Sequence, residues 1–215
     1  MSFGKITLIA GALAALFTAS VSYAAGIGGH IEYAYSSIDL TGPEIEADRG
    51  TIGFTYDTDV ARDTLFNYRL QAGYQFSSYE YESFNGDDEG HGLNLLNAFG
   101  FGIFRSPFVR VWAGPAIRFT VDSIDSGGNE FVDVSLGGGP IVGANFHVGP
   151  NLTLSPSIAY NYSWVGSYCD DCFGDDDETG DEHRISLNFA ILFRTPDDFF
   201  GSSDWDDRHP RRRRY

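Results

Sequence analysis

Three features of the sequence predict an all-β fold, an eight-stranded antiparallel up-and-down transmembrane β-barrel. Eight segments alternate apolar and polar residues with a period of two, the pattern of strands with one apolar and one polar face. The connections between them alternate short and long. The apolar faces carry more Tyr, Phe and Trp than the interior of eight strands can hold.

The first segment, 27–38, sets Ile27, Ile31, Tyr33 and Tyr35 against His30, Glu32 and Ser36. Segment 51–57 opposes Ile52, Phe54 and Tyr56 to Thr51, Gly53 and Thr55. Segment 66–77 opposes Phe66, Tyr68, Leu70, Tyr74 and Phe76 to Asn67, Arg69, Gln71 and Gln75. Segment 93–104 is less regular: Asn97 falls on the apolar face with Leu95 and Phe99, and a bulge near Leu95 and Leu96 would restore the pattern. Segment 108–120 opposes Val109, Val111, Ile117 and Phe119 to Arg110, Trp112 and Arg118. Segment 132–148 opposes Val134, Leu136, Val142 and Phe146 to Asp133, Ser135, Asn145 and His147. Segment 152–165 alternates most regularly, Leu152 to Trp164 against Thr153 to Ser163. The last, 184–193, places Ile185, Leu187, Phe189, Ile191 and Phe193 on one face. Pro115, Pro140 and Pro156 lack an amide hydrogen, so each predicts a bulge or a local gap in pairing.

The short connections are 59–63, 105–107 and 149–151; the long ones are 39–48, 80–91, 122–130 and 167–183. Membrane barrels join strands in this way, with short periplasmic turns and longer outer loops. A soluble barrel would hide its apolar face and show Lys and Glu outside. Here the polar face is Gly, Ser, Thr, Asn and a few Arg, which suits a crowded lumen. The apolar face is therefore read as facing lipid, where backbone groups must all pair and strands can span only as a closed barrel.

Lys5 followed by an apolar run and a small-residue stretch ending at Ala24 reads as a secretory signal peptide. The expected organisation is a signal peptide at 1–24, a barrel at 25–194 and a charged periplasmic tail at 195–215, taken as disordered. Net charge is −16 and Lys5 is the sole lysine, which argues against a nucleic-acid partner. Cys169 and Cys172 would meet an oxidising compartment, so a local disulfide is the first reading. A redox motif lacks its βαβ context, and a zinc site lacks two further ligands.

The eight segments, the turn pattern and a closing strand ending on the aromatic Phe193 resemble the small outer-membrane β-barrel superfamily of Gram-negative bacteria, the OmpA transmembrane-domain, OmpX and Ail type. That resemblance implies an outer-membrane location among lipid and lipopolysaccharide. It also implies assembly by the barrel-assembly machinery, with Phe193 as part of the signal. Asn188 stands near where that signal prefers Gly, and residues follow Phe193, both departures from the pattern. Such barrels include anchors, adhesins, enzymes and channels, so fold does not give function.

Four places could carry chemistry. By parity the lumen gathers Glu32, Asp133, Arg69, Arg110, Arg118 and Arg184, and buried charges of both signs predict a paired network. The long connections carry acids without a single Lys or Arg, a one-signed rim that attracts cations. Within it Asp170, Asp171, Asp175, Asp177 and Glu178 offer oxygen ligands for Ca²⁺ or Mg²⁺. The stretch beginning at Asp175 starts like an EF-hand loop but has Ser186 where the bidentate Glu is needed. His91 and His183 lie near Asp88 and Glu182, yet no nucleophile–base constellation is visible. The tail joins the acidic, aromatic stretch 197–207 to a basic end that could lie on anionic lipid headgroups or peptidoglycan. The expectation is a monomeric, cofactor-free, non-enzymatic barrel with an adhesin-like or structural role through its acidic rim, contacting cationic or protein ligands. A narrow channel comes second and an enzyme third.

Overall fold

In the computed structural model the described residues are 26–40, 44–58, 65–81, 87–126, 129–149, 151–169 and 178–194. They form eight strands: β1 (Gly26–Asp39), β2 (Glu44–Asp57), β3 (Phe66–Tyr81), β4 (Asp87–Arg105), β5 (Val109–Ser126), β6 (Asn129–His147), β7 (Leu152–Cys169) and β8 (Glu178–Arg194). Each pairs antiparallel with its sequence neighbour, and β8 closes on β1, so the sheet is a closed barrel. No helix among the described residues is long and apolar enough to cross a membrane, and strands do the crossing.

Period-two alternation decides which face each residue takes. Along β8, Glu182, Arg184, Ser186, Asn188, Ala190 and Leu192 are buried, while Ile185, Leu187, Ile191 and Phe193 are exposed. The exposed apolar residues form two aromatic levels. Phe66, Phe101, Phe104, Phe108, Phe146 and Phe193 lie towards the end that carries both termini; Tyr33, Tyr74, Phe76, Tyr162 and Trp164 lie towards the other. Such girdles flank the apolar band of membrane barrels.

The strands run for 14 to 19 residues, whereas a tilted strand needs about 9–11 to cross a bilayer. The surplus lies beyond the upper aromatic level. This corrects the expected loops. Asp39, Glu44, Glu46, Asp48, Glu80, Glu89, Asp125, Glu178 and Asp181 belong to strands and are exposed. Asp122 and Glu182 had been placed in the same connections, but they are buried at 1% and 0% exposure and face the lumen.

Asn97 also differs from expectation. The β4–β5 register is continuous from Glu89 to Ala98, so no bulge intervenes at Leu95 and Leu96. Asn97 stays on the outer face and is buried there, accepting a 2.6 Å hydrogen bond from the Tyr68 hydroxyl. A polar side chain facing lipid is tolerated because its oxygen is satisfied. The register shift instead falls between Gly102 and Phe104, where apolar residues run together. The three prolines behave as gaps in pairing. Positions 99–100 lack β5 partners opposite Pro115, and the β6–β7 ladder skips positions 139–140 and 144–145, opposite or next to Pro140 and Pro156. Gly149, at φ 99°, supplies the left-handed residue of the β6–β7 turn.

Candidate functional site

The lumen is filled in tiers. At the end carrying the termini, Arg69 donates from Nε and Nη2 to Asp57 Oδ2 at 2.9 and 2.7 Å. Its Nη2 also donates to Asn145 Oδ1 at 3.0 Å and Ser155 Oγ at 2.7 Å. The guanidinium lies 4.6 Å from the Trp112 ring centroid. Trp112, fully buried, fits beside the bare Cα of Gly143 and packs with Leu96, Ala98, Ala116, Ile141 and Ala159.

The middle tier is built on Arg118 and Glu32. Arg118 binds the carboxylate with both terminal nitrogens, at 2.5 and 3.0 Å, a bidentate geometry specific to Arg. Its Nε donates to Asn161 Oδ1 at 3.1 Å and its Nη2 to Ser186 Oγ at 3.0 Å. Asn94 donates to Glu32 Oε1 at 3.0 Å, and His30 meets Thr55 Oγ1 at 3.0 Å.

The outer tier is centred on Glu182. One carboxylate oxygen, Oε1, accepts from Arg184 Nη2 at 2.8 Å and Nε at 3.0 Å, and also from Arg49 Nη1. Asp122 lies 3.8 Å from Arg49 Nε and accepts from Gln75 at 2.7 Å and from Tyr79 at 3.1 Å. Above this tier Ile38, Ile45, Ala47, Tyr79, Ile124 and Val165 form a buried apolar cluster, with Leu40 and Phe131 against it. A polar column is thus closed outward by hydrocarbon.

The expected network is therefore present with a different membership. Glu32, Arg69, Arg118 and Arg184 hold the positions parity gave them. Asp133 faces the same interior, opposite Asp122 and Ser167. Arg110 is buried at the lower mouth, opposite Arg105. Arg49, Asp57, Asp122 and Glu182 complete the pairs and were missed. The signal for Arg49 was available: Ile45, Ala47, Arg49 and Thr51 alternate without interruption into the apolar band.

Two other expectations concern histidines. His183 and Glu182 are sequence neighbours, and neighbours in a strand face opposite sides. His183 lies outside, 2.7 Å from the Tyr160 hydroxyl, while Glu182 lies inside. His91 packs on the outside near Tyr74. Neither forms the acid–base pair its position suggested. Asp170, Asp171, Asp175, Asp177, Cys172, the signal peptide and the tail lie outside the described residues. Among the described residues no group of three His, Cys, Asp or Glu side chains is placed to hold a metal ion. Phe193 is exposed on the outer face, paired with Ile27 and Leu152.

Among solved structures, the outer membrane protein OprG from Pseudomonas aeruginosa superposes with a TM-score of 0.56. It has 12% identity over 81% of this chain and 97% of its own. The fold is that of the small outer-membrane β-barrels. Two more such barrels match less tightly. Ail, the attachment invasion locus protein of Yersinia pestis, gives a TM-score of 0.48 at 14% identity, over 80% of this chain and 98% of its own. Neisserial surface protein A gives 0.43 at 16%, over 80% and 98%. No protein-family model matches the chain. No curated protein matches it either.

Proposed function

We propose that this outer-membrane barrel is a non-enzymatic surface protein that acts through its acidic outer rim. The observation that carries the reading is the set of nine exposed carboxylates on the protruding strands. Asp39, Glu44, Glu46, Asp48, Glu80, Glu89, Asp125, Glu178 and Asp181 stand there with no exposed Arg beside them among the described residues. Part of this rim is a built surface. The Tyr33 hydroxyl donates to Asp48 at 2.5 Å and Ser37 to Glu44 at 2.6 Å across β1 and β2, with the Tyr35–Glu46 hydrogen bond on the rung between them. A rigid field of one sign favours cationic partners: a basic protein segment, or divalent ions shared with lipopolysaccharide phosphates. The filled lumen supports this reading over a channel, because Arg69, Arg118, Arg184 and Trp112 are fully buried and the outer end is capped.

Calorimetry tests the reading. Titration of the refolded barrel with a tetralysine peptide, and separately with CaCl2, is expected to give binding with the peptide at least, weakened by salt. The E44Q/E46Q/D48N variant is expected to lose about tenfold in affinity, about 1.4 kcal/mol. Absence of heat with both probes, or equal affinity in the variant, contradicts the rim as the site.

A further inference from the structure

The outer tier holds more carboxylates than cations. Among the described residues its acids are Asp122, Asp133 and Glu182, and its cations are Arg49 and Arg184. Glu182 takes both guanidiniums. Asp122 has Arg49 Nε at 3.8 Å and accepts from Gln75, Ser77 and Tyr79. Asp133 is hydrogen-bonded by Ser167. Segments 41–43, 82–86, 127–128 and 170–177 join the strands at this end and contain no Lys, Arg or His, so they bring no cation to balance the third acid.

Register sets the surplus acid against another acid. Asp122 and Asp133 are direct cross-strand partners on the lumen face of β5 and β6, and like charges placed opposite one another repel. Two carboxylate oxygens of the tier are buried without a hydrogen-bond partner, Asp133 Oδ1 and Glu182 Oε2, the second on a side chain with 0% exposure. Around Asp133 stand Arg49 of β2, Tyr79 of β3, Asp122 of β5, and Glu182 and Arg184 of β8. β1 and β7 contribute Ile38, Val165 and Ser167, which carry no charge. Higher on the same face come Asp88, half-buried opposite Tyr79, and Glu178, exposed opposite Ser167, so the further described charges facing the pair are also negative. Asp133 lies three rungs beyond Trp164, outside the bilayer. Burial, joined by the charges of Asp122 and Glu182, raises its carboxyl to about 6 against the opposing pull of Ser167 and Arg49.

We propose that the Asp122–Asp133 pair is a proton-binding site, filled in acid and emptied as the medium turns neutral, which makes the outer end of the barrel tighter in acid. A proton on Asp133 turns an unpaired acceptor into a donor and ends the like-charge contact across the rung. Asp122 keeps its charge beside Arg49, Gln75 and Tyr79. A metal ion is the other ligand for surplus carboxylates, but no three His, Cys, Asp or Glu side chains among the described residues are placed to hold one. The folded barrel binds this proton more tightly than the unfolded chain does. The stability it adds is therefore complete below about pH 4 and lost as the pH rises through about 6. An ordinary ion-paired carboxylate has the opposite dependence, so the direction of the slope identifies the site.

Urea unfolding of the full-length protein in lipid vesicles tests the site, with wild type compared against D133N, whose side chain is neutral at every pH. At about pH 8 D133N is expected to be the more stable, with an unfolding equilibrium constant about tenfold below that of wild type; at about pH 4.5 the two are expected to agree. Equal stability at both pH values, or D133N the less stable at both, overturns the proposal. The comparison is repeated with choline chloride in place of NaCl, and with added CaCl2. A difference at pH 8 that survives both changes supports the proton. One that appears only in choline chloride, or that CaCl2 abolishes, gives the site to a metal ion and overturns it. Should D133N not refold, carboxyl-carbon NMR of wild type labelled at aspartate decides: one resonance is expected to titrate at about 6, and the absence of any aspartate midpoint above about 5 overturns the site.

Discussion

Glu182→Gln is expected to destabilise the barrel by about 3–5 kcal/mol, read as a lowered urea midpoint in lipid vesicles. The magnitude follows from what one oxygen does. Oε1 of Glu182 is the shared acceptor of Arg49 and Arg184, and all three side chains are at most 4% exposed. Glutamine keeps the shape and removes the charge, leaving two buried guanidiniums facing one another. Asp122 cannot take over, since it stands 3.8 Å from Arg49 and is already bound by Gln75 and Tyr79. Breaking a buried pair strands an uncompensated charge, which is why the loss exceeds that of an ordinary hydrogen bond. A loss below about 1 kcal/mol would show that the outer tier is hydrated rather than closed.

Arg118→Met is expected to cost a similar amount, about 3–5 kcal/mol, because Glu32 would keep its charge with Asn94 as its remaining donor. The companion variant E32L/R118M separates a structural pair from a functional one. Replacing both members removes the stranded charge, so more than half of the lost stability is expected to return. Some cost remains because Asn161 and Ser186 lose the donor they accept from. The double-mutant cycle in the same unfolding assay measures the coupling directly. Additive losses would mean that the bidentate contact carries no coupling.

How much of this was legible in the sequence differs by element. The β8 alternation from Arg184 to Phe193 gave strand, faces and lumen arginine together, because a period of two fixes all three. The outer ends were misjudged for a physical reason. Above the bilayer the apolar residues turn inward, as Ile38, Ile45 and Ala47 do, and the outward face becomes polar, so an outward Asp48 or Asp181 breaks the apolar-outward pattern and has the composition of a loop. Glu182 and Asp122 were lost with them, although each continues the parity of buried neighbours such as Arg184 and Thr120. The bulge beside Gly102 was illegible, since Phe101, Ile103 and Phe104 are apolar on either register. Asn97 shows the opposite case: a tertiary partner, Tyr68, solved what local pattern suggested a bulge would solve.

The interior and the rim divide the roles. Bidentate pairs, a stacked Arg69 and an apolar cap make the lumen a plug that specifies one barrel. On the proposed function the outward carboxylates above the aromatic level are the groups that meet partners. A planar-bilayer recording of the full-length wild-type protein tests this division most directly. The account predicts no unitary current steps at either polarity. Reproducible steps that change in size when Arg118 or Glu182 is replaced would contradict it, placing function in the lumen instead.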